Sequence, residues 1–371
     1  MARPISQRTA FLHIGGSKTG SATIQKVMFD QPLPDHHYVR TGTVDRYDPG
    51  DVTPNHSPFL SLLFGRGNNR VAPYFRRRGW TPVQLKTQRK AWLAELTREI
   101  EDSDKDLIFS AERLCSPSFD EASLTAFRTF LETHVGTIRV IGYVRSPVSY
   151  CQSSFQQRLK GVDPVSLELS PIRYIKRFQK FDTVFGRANV TLCHYNRSTL
   201  SDGDVVVDFA RHLGVSLVDY TRTEINTSLS LEAVAVLYAG QHFGRKIRPS
   251  SRYDADTRAL LQALRKLDRG KLAFGPAILE PMLKKCAHDI DWMETRLGVV
   301  IRDAPETGAQ VISSENDLLA VAANAQTRLE AVLTGEILGQ GQEERRGGAQ
   351  NVARLMDVLR ETVSERRTDT E

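Results

Sequence analysis

The stretch "FLHIGGSKTGSATIQKVMF", residues 11 to 29, runs from an apolar, strand-like segment through a turn of Gly, Ser and Lys into helical periodicity. A Gly-rich turn between a strand and a helix presents backbone N–H groups and the positive end of a helix dipole, which together suit an anion. Gly15 and Gly20 have the separation of the nucleotide loop G-x-x-x-x-G-K-[ST], yet Ser21 stands where that loop has its lysine. The lysine of this turn is Lys18, two residues before Gly20. The glycines permit close approach to a phosphate, Lys18 adds a mobile cation, and Ser21 and Thr23 supply hydroxyls at the start of the helix.

Working outward, short apolar runs at 10–14 (AFLHI), 106–110 (DLIFS), 139–144 (RVIGYV) and 190–195 (VTLCHY) alternate with helical stretches. Such alternation predicts a parallel α/β sheet with crossover helices. A polar insert at 30–82 separates the first two strands and is expected to act as a substrate-facing lid. After it, residues 83–102 place Leu85, Trp92, Leu93 and Leu96 on one stripe of a crossover helix. From about residue 228 the pattern is helical, with segments starting at "SLEAVAVLYAGQHF", "DADTRALLQALRKLD" and "AILEPMLKKCAHDIDWMETRL". The expected organisation is a core over 1–227, a helical completion over 228–313, and a helical hairpin over 314–371 that packs on the core or on a partner subunit.

The chain has 371 residues, 40% of them hydrophobic, enough for a large core. Its formal net charge of +6 suits anionic ligands without demanding nucleic acid. The basic runs at Arg76–Arg78 and Arg173–Arg177 read first as solvated faces. No uninterrupted apolar window of about 18 residues marks a membrane span, and the N-terminus lacks a signal-peptide core. A cytoplasmic protein is expected. Cys115, Cys151, Cys193 and Cys286 are widely spaced, so neither a zinc motif nor a disulfide framework is predicted.

A second segment interprets the loop. In "VIGYVRSPVSYCQSSFQQRLK", residues 140–160, Arg145 ends an apolar strand, Pro147 opens a helix, and Ser153 follows Arg145 by eight residues. The ordered pair "K-T-G-S" and "R-S-P-x5-S" resembles the sulfotransferase family. The resemblance covers the N-terminal core to about Tyr195 and, more loosely, "INTSLSLEA" at 225–233. It implies a P-loop-like α/β sheet flanked by helices, with a mostly helical C-terminal part.

The resemblance further implies that Gly15, Ser17, Lys18, Thr19, Gly20, Ser21, Ala22 and Thr23 hold the 5′-phosphosulfate of PAPS (3′-phosphoadenosine 5′-phosphosulfate). It places Arg145 and Ser153 on the 3′-phosphate. PAP would be the product, with no metal in the reaction. Ala22 departs from the family's "KTGTT" loop by lacking the second hydroxyl, for which Thr23 is the nearest substitute. Lys18 then follows the bridging oxygen as charge builds on the leaving phosphate.

An acceptor hydroxyl attacking sulfur must lose a proton. Glu112, just past the "DLIFS" strand, lies where ligands bind in doubly wound sheets. In the resembling family the base follows the corresponding strand and is His in some members and Glu in others. His56 in the insert is the rival base, set between turn residues where a His can face a cleft. His13 reads as a satisfied core residue, His36 and His37 carry no metal spacing, and Ser149 and Ser154 flank Ser153. Arg197, after the strand at 190–195, is placed on the cofactor or an acidic acceptor. The predicted acceptor is a small molecule or glycan bearing a hydroxyl or amine, and the C-terminal helices are the candidate surface for a homo-oligomer. Two competing readings remain: a nucleotide kinase or hydrolase with a variant loop, and a catalytically silent nucleotide- or glycan-binding relative.

Overall fold

In this computed structural model the segment 11–29 enters as a strand ending at Gly15 and leaves as a helix starting at Ser21, as its pattern predicts, with Ser17 and Lys18 outside the described residues. The structure describes residues 3–16, 19–43, 53–66, 75, 79–161, 163–221, 228–246, 253–303, 311–334 and 348–368. Its first unit comprises Met1–Ser146, Arg173–Asn226 and His288–Ile301. It contains a parallel sheet of β1 (Thr9–Gly15), β2 (His36–Tyr38), β3 (Asp106–Ser110), β4 (Thr137–Val144) and β5 (Val190–His194), in the order β2-β3-β1-β4-β5. Ala10 pairs with Leu107 of β3 and with Ile138 of β4, so β1 is the central strand. Six of its seven residues are buried, as expected of a strand covered on both faces.

Helices pack on this sheet because each has one apolar stripe. α1 (Ser21–Asp30) buries Ile24 and Met28. The crossover helix α3 (Pro82–Glu101), which follows α2 (Ser57–Phe64), opens with a capping box between Thr81 and Gln84. Its buried stripe is Trp92, Leu96 and Ile100, and Leu93, expected on that stripe, is 37% exposed instead. The period of four from Trp92 to Ile100 turns the neighbouring residue 93 outward. α4 (Glu121–Glu132), α6 (Tyr174–Phe185) and α7 (Val205–Leu213) also belong to this unit, whereas α5 (Pro147–Leu159) belongs to the second.

The insert at 30–82 holds regular structure among its described residues. It contributes edge strand β2, paired with β3 through His36 and Asp106, and helix α2. Only three residues long and rich in His, β2 gave no alternating apolar signal.

The second unit comprises Pro147–Ile172, Thr227–Ala287 and Arg302–Glu371. Its centre is α8 (Leu231–Phe243), in which every residue from Leu231 to Gly240 is buried. Such an all-round apolar helix must be covered on several sides. Phe155 packs edge-on to Phe274, and a Cβ on Gly240 would meet Met356 Cβ at 3.2 Å. α9 (Tyr253–Leu264) follows α8, and the segment at 277–297, read as one helix, is two: α10 (Pro276–Lys285), in this unit, and α11 (Ala287–Leu297), which from His288 on belongs to the first unit, parted at Cys286. The expected terminal hairpin holds three helices among the described residues: α12 (Glu315–Asn324), α13 (Gln326–Thr334) and α14 (Ala349–Thr368). Val352, Ala353 and Met356 of α14 are fully buried, so this segment is part of the unit's core.

Candidate functional site

Parallel pairing puts the carboxyl ends of all five strands on one edge of the sheet. The strand order changes direction about β1, with β2 and β3 on one side and β4 and β5 on the other, and ligands of such sheets bind at that switch point. The turn after β1, Glu112 after β3, Arg145 after β4 and Arg197 after β5 therefore share one edge.

The turn is closed by its own polar groups. Gly16 donates its N–H to the Tyr143 carbonyl at 3.0 Å, and the Thr19 hydroxyl donates to the Gly16 carbonyl at 2.8 Å. Gly20 has φ 76°, a left-handed conformation that favours glycine, and its carbonyl accepts from Thr23 and Ile24 to start α1. A Cβ there would sit 2.6 Å from Val205 Cγ1. No acidic residue occupies the first turn of α1 and no described side chain caps it, which leaves the positive end of its dipole available to an anion.

The hydroxyls of Thr19 and Ser21 turn toward Gly15: a Cβ on that glycine would lie 2.7 Å from Thr19 Oγ1, 2.6 Å from Ser21 Oγ and 3.7 Å from His13 Nε2. Among the described residues, Ser21 Oγ and His13 Nε2 are buried without a hydrogen-bond partner. A buried donor left unmade costs about 1–3 kcal/mol, so such a hydroxyl at a helix N-terminus is suited to an anionic oxygen. Ala22 is exposed and Thr23 buried, and Ser17 and Lys18 lie outside the described residues.

Tyr195 joins the two motifs, a role its sequence context did not signal. It donates its N–H to the Val144 carbonyl at 2.7 Å, its ring lies 3.6 Å from the Cβ position of Gly20, and the Arg145 guanidinium stands 5.9 Å from the ring centroid. Arg145 is half-buried, and Arg197 is exposed in the turn after β5. Ser153 is half-buried on α5, which starts at Pro147 as the sequence predicts.

Glu112 is exposed and opens a one-turn helix over Glu112–Cys115, with the Ala111 N–H bonded to the His13 carbonyl at 3.0 Å. The segment behind it is pinned by Lys180, a buried ammonium donating to the carbonyls of Leu114, Ser116 and Phe119. His56 is placed differently from expectation. It is fully buried, Nδ1 accepts from the Ser110 N–H at 2.9 Å, and Nε2 bonds the Val39 carbonyl at 2.7 Å. Burial, only partly offset by those bonds, lowers its pKa to about 4. A base needs an open lone pair, and both nitrogens of His56 are committed to backbone. His13 is likewise kept neutral by burial, its pKa lowered to about 3, with Nδ1 2.6 Å from Ser110 Oγ. Of the sequence candidates, the sheet edge thus gathers the described loop residues, Arg145, Arg197 and Glu112.

No protein-family model matches the chain. An uncharacterized protein of Archaeoglobus fulgidus is 25% identical over 134 residues, 35% of this chain, and the match spans about a third (36%) of that relative's length. Among solved structures, a sulfotransferase from Alicyclobacillus acidocaldarius is similar over 82% of this chain and 98% of its own, with TM-score 0.41 and 12% identity. The sulfotransferase domain of the Synechococcus PCC 7002 olefin synthase is similar over 86% and 96%, with TM-score 0.27 and 12% identity. At that level of overlap, the function has to be argued from this chain's own residues.

Proposed function

We propose that this protein is a PAPS-dependent sulfotransferase, moving a sulfuryl group to a hydroxyl or amine of a carbohydrate or small-metabolite acceptor. The observation that carries the reading is the turn after β1, where two hydroxyls converge over Gly15 and that of Ser21 is buried without a partner among the described residues. This arrangement, at a helix N-terminus without an acidic first turn, supports an anionic oxygen there. Arg145 beside Tyr195, at the end of the adjacent strand, supports a second anionic group on the same ligand.

When bound, PAPS supplies the sulfuryl group and a phosphate leaving group. Gly15, Gly16, Thr19, Gly20, Ser21, Ala22 and Thr23 bind the 5′ end through backbone and hydroxyl donors. Ser17 and Lys18 are assigned to the same end by their place in the sequence, with Lys18 neutralising charge on the leaving oxygen. Arg145, with Ser153 by its motif spacing, holds the 3′-phosphate, and Arg197 is assigned to the cofactor or an acidic acceptor. Glu112 takes the acceptor's proton, since it is exposed just after β3 whereas His56 is fully buried.

Calorimetric titration of PAP in the presence of EDTA, with ATP as competitor, tests the assignment. Micromolar PAP binding, tighter than ATP and weakened at least about 10-fold in Arg145→Ala, is expected from loss of a charge-assisted bond. An equal response to ATP, or no binding, would remove it in favour of a kinase or a silent binding relative. Turnover with an acceptor panel, lost in Glu112→Gln, separates enzyme from silent relative.

A further inference from the structure

One group of metal-type ligands stands among the described residues away from the loop: Cys193 on β5 and Asp208 and His212 on α7. Cys193 Sγ lies 3.3 Å from His212 Nε2, and that nitrogen lies 3.5 Å from Asp208 Oδ2. The three ligand atoms are all within 4.8 Å of one another. We infer that Cys193, Asp208 and His212 form a Zn²⁺ site that cross-links β5 to α7.

Zinc bonds of about 2.3 Å to sulfur and about 2.0–2.2 Å to nitrogen and oxygen, in tetrahedral geometry, require ligand-to-ligand edges of roughly 3.3–3.6 Å. The Sγ–Nε2 and Nε2–Oδ2 separations already have that size. A thiolate, a carboxylate and a neutral imidazole balance the dication's charge, and the mixture of soft sulfur and imidazole favours zinc over calcium or magnesium. Both ligand elements are rigid, since Cys193 pairs with Tyr143 in the sheet and Asp208 and His212 are one helical turn apart. His212 and Cys193 are partly exposed, which leaves an entry path and a fourth position for water.

The outer shell orients the carboxylate as metal sites require. Asp208 is buried, accepts the Tyr143 hydroxyl on Oδ2 at 2.8 Å, and accepts the Ser201 N–H and hydroxyl on Oδ1 at 3.0 and 2.9 Å. The consequence of occupancy is structural. Tyr195 follows Cys193 by two residues, Val205 precedes Asp208 by three, and these two side chains flank Gly20. Tying β5 to α7 would therefore brace both walls beside the turn. This inference stands apart from the sulfuryl-transfer reading, and a failure to bind PAP leaves it intact.

The test is metal analysis of the full chain, purified without a metal-affinity tag and dialysed, together with Co²⁺ titration of chelator-treated protein. About one zinc per chain is expected, and Co²⁺ should produce a thiolate charge-transfer band in the near ultraviolet. Cys193→Ser should abolish the band and weaken zinc binding by more than about 100-fold, while Ser201→Ala, which touches only the outer shell, should weaken it about 10- to 100-fold. His212→Gln at the exposed rim gives the same comparison if Cys193→Ser does not fold. Folded wild-type protein with no zinc and no cobalt band would overturn the site, as would zinc retained unchanged in a Cys193→Ser/His212→Gln double variant.

Discussion

Ser21 is the residue at which the proposed cofactor site makes opposite demands on stability and binding. Its hydroxyl is buried with no partner among the described residues, which leaves its desolvation uncompensated by them. Ser21→Ala should leave the thermal midpoint of the free protein unchanged or slightly raised. The same change should weaken PAP binding by about 1.5–3 kcal/mol, or about 10- to 150-fold, because a hydrogen bond to a charged group is lost. Parallel melting curves and calorimetry check the pair of signs, and a drop in stability with unaltered PAP affinity would refute the role of Ser21. His13 is the companion case: its ring is neutral, with Nε2 buried at the same glycine.

At the scale of elements, edge strand β2 is too short to hold its place by pairing alone. Glu99 of α3 supplies a second anchor, accepting from the His37 ring at 2.7 Å, the Arg40 N–H, and the N–H and hydroxyl of Thr41. Burial by itself would raise the pKa of this carboxyl, but the four bonds outweigh it and hold it at about 2. With the folded value depressed below an ordinary 4.5, the anchor's contribution is fully present above pH 4.5 and is lost as pH falls toward 2. The shift corresponds to about 3 kcal/mol. Urea unfolding across that range should show wild type losing this increment on acidification, whereas Glu99→Gln should start lower at pH 7 and lose less. Equal pH slopes for the two proteins would count against the anchor.

At the scale of the whole molecule, the C-terminal helix α14 belongs to the interior of the second unit, as Met356 is fully buried and sits against Gly240 of α8. Met356→Ala should lower the denaturant-derived stability by about 2–5 kcal/mol, the cost of a core cavity. A change under about 0.5 kcal/mol would mean that the helix is only loosely laid on the unit. No helix among the described residues is long and apolar enough to cross a membrane.

What the chain determined by itself was local. Apolar runs at 106–110 and 190–195 became β3 and β5 because strand burial follows from side-chain pattern, and the glycines at 15 and 20 announced a tight strand-to-helix turn, Gly20 through its left-handed φ and Gly15 through the close approach of two hydroxyls. Pro147 likewise opened α5 where its fixed φ suits a first helical turn. The tertiary structure decided what depends on pairing across long separations. His56 met the Ser110 N–H 54 residues away and was withdrawn from base chemistry, and Tyr195 came to lie between the turn and Arg145. Cys193 reached an Asp–His pair whose i,i+4 spacing in "VVVDFARHL" was visible, but whose third ligand only the β5–α7 packing could supply. Burial and hydrogen-bond partnership are properties of the packed chain, so whether a polar residue is satisfied or left open for a ligand is settled by its neighbours in space.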